Sequence, residues 1–391
     1  MAVDTIEAAK QRARDAVRAV ADDLVRISNE IHAHPELAFE ERHAVAQLVP
    51  LLEASGFHMQ VPAYDLETAF RGEWGHGPTT IAICAEYDAL PEIGHACGHN
   101  LIATAGVGAA VGLKAALEPA DARVVILGTP AEEMHGGKCV MIDRGCFADI
   151  DVAMMAHPMP LDFIAPPMMG VIHVDIEYHG RAAHASVAPE QGLNALDAVV
   201  TAYQAVAQLR QHIRRDARIH GIITHGGAAA NIVPEHTAAT FYIRSQSMRY
   251  LYELKERVAR CFEAGALATG CELRVDWEGH PVYEPLRSNG PLAEVYRLNG
   301  EALGKQFIDL KDVSTGSTDM GNVSQIVPSI HPTFTVGQMI FNHTPEFTAA
   351  ANTDAAHASM LQTAEALAMT GVDVALEEGL LARIKADFAG R

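Results

Sequence analysis

The sequence predicts an α/β layer protein with a smaller α+β domain inserted into it. Three observations carry this prediction. Short apolar runs alternate with helical patterns in both the N-terminal and C-terminal parts of the chain. The middle of the chain changes to the order β-α-β-β-α-β, that of a ferredoxin-like sandwich. Cysteine, histidine and glutamate residues follow the ends of the outer strands, where open α/β sheets place their chemistry.

The chain opens on an amphipathic helix with Ile6, Val17, Val20, Leu24 and Ile27 along one side. This segment also carries Asp4, Glu7, Lys10, Arg12 and Arg14 and has no apolar core segment, so it is not expected to be a signal peptide. Helical patterns at 41–55 and 101–117 alternate with buried-strand runs at 80–86, 123–128, 151–156 and 333–337. Thr344 before Pro345 makes an N-cap and N1 pair, so the last long helix, covering 347–369, is expected to start there.

From 168 to 178 the residues alternate, with Val171, His173, Asp175 and Glu177 on one side and Ile172, Val174 and Ile176 on the other. A helix at 194–213, strands at 219–224 and 237–245, a helix at 248–269 and a strand at 272–277 complete the inserted domain. The α/β pattern resumes near Asn289. The expected division is thus 1–167 with 287–391 for the main domain and 168–286 for the insertion. Gly170 and the residues near Pro285 are candidate hinges, although glycine at such a place also serves as an ordinary turn.

Composition narrows the function. The 391 residues are 49% hydrophobic and 20% charged, as in a folded protein of two or three domains. The formal net charge is −20, and no basic stripe marks a nucleic-acid or anionic-membrane partner. No apolar run reaches the ~18 residues of a membrane span. Six cysteines in this length do not make a disulfide scaffold, so the expected compartment is the cytoplasm.

Cys97 and His99, separated by Gly98, converge on one point if the backbone turns, and a thiolate with an imidazole suits zinc or a similar ion. Glu132 and Glu133 follow the strand at 123–128, where one carboxylate can bind metal and the other can accept a proton. His157 and His343 follow two further strands. Taken singly, each has a plainer explanation: a buried cysteine, satisfied histidines, or acids complementing a helix dipole. Their shared placement at successive strand ends favours a metal site, and five protein ligands hold two ions if one residue bridges. Arg244 is a candidate carboxylate clamp, against the plainer reading of a surface ion pair. Phe70, Met134, Met168 and Met169 are candidates for an acyl pocket or, more ordinarily, for core packing.

In order and spacing, the chain resembles metallopeptidase family 20, the aminoacylase and carboxypeptidase metallopeptidases. The resemblance rests on Ile31 to Leu37, Asp88-Ala89-Leu90-Pro91, His95 to His99, Glu132-Glu133, Gly180 to Ala185, Asn231 to Pro234, Gly316 to Asn322 and Asn342-His343. Within the family it is similar to subfamily D, with its indole-acetyl-amino-acid hydrolases and p-aminobenzoyl-glutamate hydrolases. The resemblance implies a mixed-sheet, zinc-peptidase-like catalytic domain and an inserted lid domain that carries a homodimer contact. It implies Cys97, His99, Glu133, His157 and His343 as ligands of two divalent ions (zinc or manganese, with cobalt a further option). Cys97 stands where other branches have a bridging aspartate. It further implies Glu132 as general base, Asp88 as an acid behind the ligands, and His184, Asn231 and Arg244 as substrate contacts, with His184 reaching a neighbouring protomer. Asn100 and Glu86 depart from frequent aspartates and, together with the stretch Ser317 to Ser324, lean toward the branch of peptidase-20-domain-containing protein 2, which resembles dipeptidases on β-alanyl or similar dipeptides.

The expected function is metal-dependent hydrolysis of an amide in an N-acyl amino acid, amino-acid conjugate or dipeptide with a free carboxylate. Glu132 would take a proton from water and return it to the leaving amine, with His184 as an added oxyanion partner. Two competing readings are weaker. A non-catalytic metal-binding subunit would be expected to lack Glu132. A Cys97 nucleophile with His99 as base would need a geometry that residues two apart rarely reach, and would leave the carboxylates unexplained.

Overall fold

A computed structural model describes residues 3–308 and 316–390. Among these residues the chain forms two compact units, one drawn from 3–166, 286–308 and 322–390 and the other from 167–285 and 316–321.

The first unit is built on a mixed sheet. Its strands lie in the spatial order His58–Gln60, Phe70–Trp74, Arg123–Gly128, Thr80–Ala85, Val152–Met154 and Ser329–Ile330. Arg123–Gly128, Thr80–Ala85, Val152–Met154 and Ser329–Ile330 run parallel to one another, and the first two strands are added by antiparallel pairing. Thr80–Ala85 is buried at every residue, as a continuous apolar run requires of a strand covered on both faces. Three parallel strands end at one edge of the sheet, and there the chain runs on into 86–88, 129–133 and 155–157. Just beyond, His157–Met159 pairs in parallel with Thr333–Thr335.

The helix His99–Ala116 leaves the same edge and is buried along almost its whole length. It packs on the sheet and on the helices Val3–Ala19, Ala21–Ala33 and Asp354–Leu376. Small residues permit that approach from several sides. A methyl at Gly108 would stand 2.8 Å from Leu24 Cδ1, and one at Gly112 would stand 2.7 Å from Val17 Cγ2.

Two sequence expectations change here, and one candidate is decided in favour of its plainer reading. The N-terminal amphipathic stretch is two helices, because Val20 leaves the helical region (φ −108°, ψ 10°) between Ala19 and Ala21. The helix expected to run from Thr344 to about 369 is also two. Thr344 does cap, accepting from Phe347 N–H at 3.2 Å, but that helix ends at Ala350. Thr353 then caps a new helix, Asp354–Leu376, by accepting from Ala356 N–H at 3.3 Å. Two competing caps in one apolar stretch divide it. Phe70 is fully buried and stacks on Tyr87 with centroids 6.0 Å apart, so it belongs to the core and not to a substrate pocket.

The second unit is a four-stranded antiparallel sheet in the order Glu272–Asp276, Gly170–His179, His236–Ser245 and Ala217–His225. The chain order fourth, first, third, second gives the ferredoxin-like arrangement. Helices Ala195–Leu209 and Met248–Thr269 cover one face, over a core that includes Ile172, Val174, Ile176, Phe241 and Ile243. Asn194 caps the first helix by accepting from Leu196 N–H at 3.0 Å. The opposite face carries the alternate residues, His173, Asp175 and Glu177 among them. Residues 316–321 fall in this unit, whereas the sequence division placed them with the main domain. Met169 N–H donates to Gly316 O at 2.9 Å, and Arg244 Nη1 donates to Ser317 Oγ at 3.1 Å. Contacts so distant along the chain leave no trace in periodicity. Among the described residues, no helix is long and apolar enough to cross a membrane.

At the crossing of the two helices in the second unit, a methyl at Gly265 would stand 2.3 Å from Ala198 O. Gly265→Leu is therefore expected to cost about 1–3 kcal/mol by forcing the helices apart. Gly226→Leu, at an exposed glycine without a left-handed backbone where a methyl meets only Leu196 Cδ1 at 3.8 Å, is the control for side-chain bulk. Thermal melting of both variants checks this, and equal losses would contradict the packing argument.

Candidate metal centre

The parallel strand edge gathers the residues that sequence reasoning singled out in the first unit. Gly98, at φ 77°, turns the backbone between Cys97 and the start of the His99 helix. Ala131, also left-handed at φ 62°, precedes the short helix Glu132–His135. His343 is left-handed too, at φ 65°, with its N–H donated to Ala96 O at 2.8 Å. Non-glycine residues rarely hold that conformation, and here two of them flank or carry candidate ligands.

Donor atoms converge in overlapping groups. Those of Cys97, His99 and His157 lie within 4.8 Å of one another, as do those of Cys97, Glu133 and His343, and those of His99, Glu132 and Glu133. Cys97 Sγ is 3.3 Å from His157 Nε2. His99 Nε2 is 3.8 Å from Glu133 Oε1, and His343 Nε2 is 3.6 Å from Glu133 Oε2. The five candidate ligands named from the sequence, with Glu132 beside them, therefore occupy one place.

Asp88 orders the group. Its Oδ1 is 2.9 Å from His99 Nδ1, and its Oδ2 accepts the Glu133 N–H at 3.0 Å. Burial pushes the Asp88 carboxyl up, but the charge and hydrogen bond of His99, the Glu133 amide and Lys138 outweigh it and hold it below its usual range. For His99, burial opposes protonation, and the Asp88 carboxylate overcomes this and raises the imidazole well above its usual range. Burial, followed by the Glu133 charge, raises the Cys97 thiol. Burial lowers His157 well below its usual range, and its Nδ1 faces Pro158 O at 2.8 Å, leaving Nε2 toward Cys97.

These residues fit a bound cation. His99 Nε2 and Glu133 Oε1 are buried and make no hydrogen bond, which is rare for buried polar atoms. A ligand histidine usually has its second nitrogen tied to a carboxylate, as Asp88 ties His99. Glu86, Asp88 and Glu132 are buried beside Glu133, and the buried Lys138 pairs with Glu86, so carboxylate donors are concentrated at this place. Thiol, imidazole and carboxylate donors suit zinc and its neighbours in the first transition series.

Some supporting residues escaped sequence reasoning. Glu41 read only as the start of a helix, yet it is buried, and its Oε1 accepts N–H bonds from Phe39 at 3.0 Å and Ala131 at 2.9 Å. Asn342 Nδ2 donates to Pro158 O at 3.1 Å, joining the loops of His157 and His343. Lys138 and His331 gave no signal beyond their residue type. His95, part of the first motif, lies outside the three donor groups; burial, then His99 and His32, lower it to about 3.

The second unit does not assemble its candidates. His184 and Asn231 sit together, since Ala185 N–H donates to Asn231 O at 3.0 Å and His184 bridges to Ile232. Arg244 lies toward the far end of the strand His236–Ser245, facing Val171 and Arg218. At about 3.3 Å per residue, the strand alone separates Arg244 from the His184 end by roughly 25 Å.

The fold and the clustered donors define a class, a metal-dependent amidohydrolase or peptidase. Comparison with known proteins narrows the class. Residues 168–269 match the model of the peptidase dimerisation domain of M20 proteins. The Xaa-Arg dipeptidase of Mus musculus is 43% identical, over 98% of this chain and 93% of its own length. A p-aminobenzoyl-glutamate hydrolase chain of Escherichia coli is 30% identical over 97% of this chain and 92% of its own. A solved dinuclear metal-binding M20 peptidase from Bacillus subtilis shares the fold at TM-score 0.69, with 19% identity, 91% of this chain and 99% of that one covered. The chain belongs to metallopeptidase family 20, and it is a metallo-amidohydrolase.

Burial, then the charge of Asp88, raise the Glu41 carboxyl from its ordinary 4.5 to about 7. Between those values the native protein keeps a proton that the unfolded chain has lost. Stability therefore falls as pH rises through that window and levels off above it. Glu41→Gln keeps the acceptor oxygen without the charge. In metal-free protein the variant should match wild type near pH 4.5 and exceed it by up to about 3 kcal/mol at pH 8. Urea unfolding at both pH values checks this, and an unchanged difference between them would contradict it.

Proposed function

We propose that this enzyme cleaves the peptide bond of dipeptides, with a C-terminal arginine or similar residue as the preferred leaving group. The observation that carries this reading is the 43% identity, over 98% of the chain, to the mouse enzyme named for Xaa-Arg dipeptides. β-Alanyl dipeptides fall within the same proposal. A second reading, an aryl amide of glutamate, draws on the more distant Escherichia coli relative.

We assign the site to two divalent ions, zinc or manganese with cobalt as a further option. Cys97, His99, Glu133, His157 and His343 would hold them. The Bacillus subtilis neighbour, described as dinuclear, supports the count. When bound, the ions polarise the amide carbonyl and acidify water. Glu132 takes the proton of the attacking water and passes it to the leaving nitrogen as the bond to carbon breaks. Asp88 holds the His99 ring and the Glu133 amide in place. Arg244 pairs with the substrate carboxylate, and His184 with Asn231 meets the reacting carbonyl from a second copy of the chain. The distance between Arg244 and the His184 end supports this division, because one substrate of dipeptide size does not span roughly 25 Å. The matched dimerisation domain supports a homodimer. Glu132, retained beside the ligands, speaks against a non-catalytic role. The six cysteines, none of them in a disulfide, favour a reducing compartment such as the cytoplasm.

Amine release from Xaa-Arg and β-alanyl dipeptides, N-acetyl amino acids, indole-acetyl conjugates and p-aminobenzoyl-glutamate tests the reading. Metal-loaded wild type should cleave the Xaa-Arg dipeptides most rapidly. Glu132→Gln should lose about 10²–10⁴-fold in kcat while keeping its metal content. Retained turnover in that variant would remove Glu132 from the mechanism, and a preference for the aryl amide would move the substrate to the second reading.

His184→Ala and Arg244→Ala should each be nearly inactive alone. Unfolded together and reassembled, they should regain part of the activity, because a mixed dimer contains one intact site. No recovery from a demonstrated mixed dimer would place both residues in service of the same chain.

A further inference from the structure

Away from the catalytic cluster, the open face of the second unit carries a second convergence of metal-ligating groups. Glu177 and His179 lie two apart on the strand Gly170–His179 and so project from one face. His236 stands directly across from His179 in the antiparallel register. The two imidazoles stack, with centroids 4.9 Å apart and planes at 28°. Both direct Nε2 to the same oxygen, Glu177 Oε2, at 2.9 Å from His179 and 3.7 Å from His236. The donor atoms of all three residues lie within 4.8 Å of one another.

We infer that Glu177, His179 and His236 form a separate binding site for a transition-metal ion of the zinc class, clipping together the two central strands of the inserted unit. Two ligands of a tetrahedral zinc ion, each bonded at about 2.0–2.1 Å, stand about 3.3 Å apart. The separations of 2.9 and 3.7 Å bracket that spacing, so small side-chain rotations suffice to seat an ion. The scaffold is suitably rigid, because strand pairing fixes the Cα positions of His179 and His236 against each other. Arg274, which lies opposite Glu177 on the other neighbouring strand, bonds Glu272 at 3.1 Å, an arrangement that leaves the Glu177 carboxylate to the imidazoles. His225, at the end of the strand Ala217–His225, stacks against His236 with centroids 5.3 Å apart and steadies that ring. Side-chain exposures of 31–47% leave the site open to solvent ions and allow water to complete the shell. Two imidazoles and a carboxylate suit zinc, nickel, cobalt or copper(II) far better than magnesium or calcium, which favour all-oxygen shells.

The test is a zinc titration of the full-length enzyme, its catalytic centre first saturated, against a colorimetric zinc chelator. Wild type is compared with Glu177→Gln, His179→Gln and His236→Gln. Wild type should take up one zinc equivalent beyond the catalytic complement, and each variant should bind that equivalent about tenfold or more weakly. Hydrolysis should be unchanged in the variants. Added zinc should raise the melting temperature of wild type more than that of any variant, since an ion bound only by the folded state stabilises it. Equal zinc uptake and affinity in wild type and in all variants whose metal-free melting matches wild type would overturn the proposal. So would loss of the extra equivalent only on changing Glu30, His34 or His43, a second surface group with donors within 4.8 Å.

Discussion

The geometry of the candidate metal centre depends on one carboxylate. Asp88 uses one oxygen to hold the His99 ring and the other to hold the backbone of Glu133. A single side chain at the end of one strand thereby sets the relative position of two candidate ligands from two other segments. With Asp88 as partner at Nδ1, His99 presents Nε2 to the centre. Burial makes this arrangement demanding, since a charged carboxylate without partners in such a place would be strongly unfavourable. The interaction lends the site directional order, and it draws on structure far beyond the site to remain dry.

That dryness comes from the central helix. His99 begins it, and the rest of the helix is sunk among the sheet and the terminal helices through glycine and alanine positions that admit close neighbours. Movement of the helix would carry His99 with it. Remote packing residues such as Leu24 and Val17 therefore contribute indirectly to the geometry of the metal centre, although they approach no polar group in it.

The parts of this structure that were legible in the sequence share a physical property: they are repetitive or chemically rare. The apolar runs at 81–85 and 124–128 announce strands covered on both sides, and the alternation at 171–177 announces a sheet with one wet face. Cysteine, histidine and paired glutamates placed after such runs stand out by chemistry. The short strands His58–Gln60 and Ser329–Ile330 carry too few residues to show a period. Glu41 looks like any surface acid near a helix start, because its role comes from the Ala131 amide, 90 residues away. The return of 316–321 to the second unit was hidden for the same reason. Local pattern reports burial and periodicity, whereas partners brought together by folding leave little local mark.

That return has a consequence for how such a protein can change over generations. The second unit is not one uninterrupted stretch of chain. A genetic exchange that lifted out 167–285 would leave behind Gly316, which pairs with Met169, and Ser317, which pairs with Arg244. The inserted unit is therefore poorly suited to being traded as a cassette. Its variation is expected to accumulate by substitution in place, with the 316–321 segment and the strand end at 244 changing in concert.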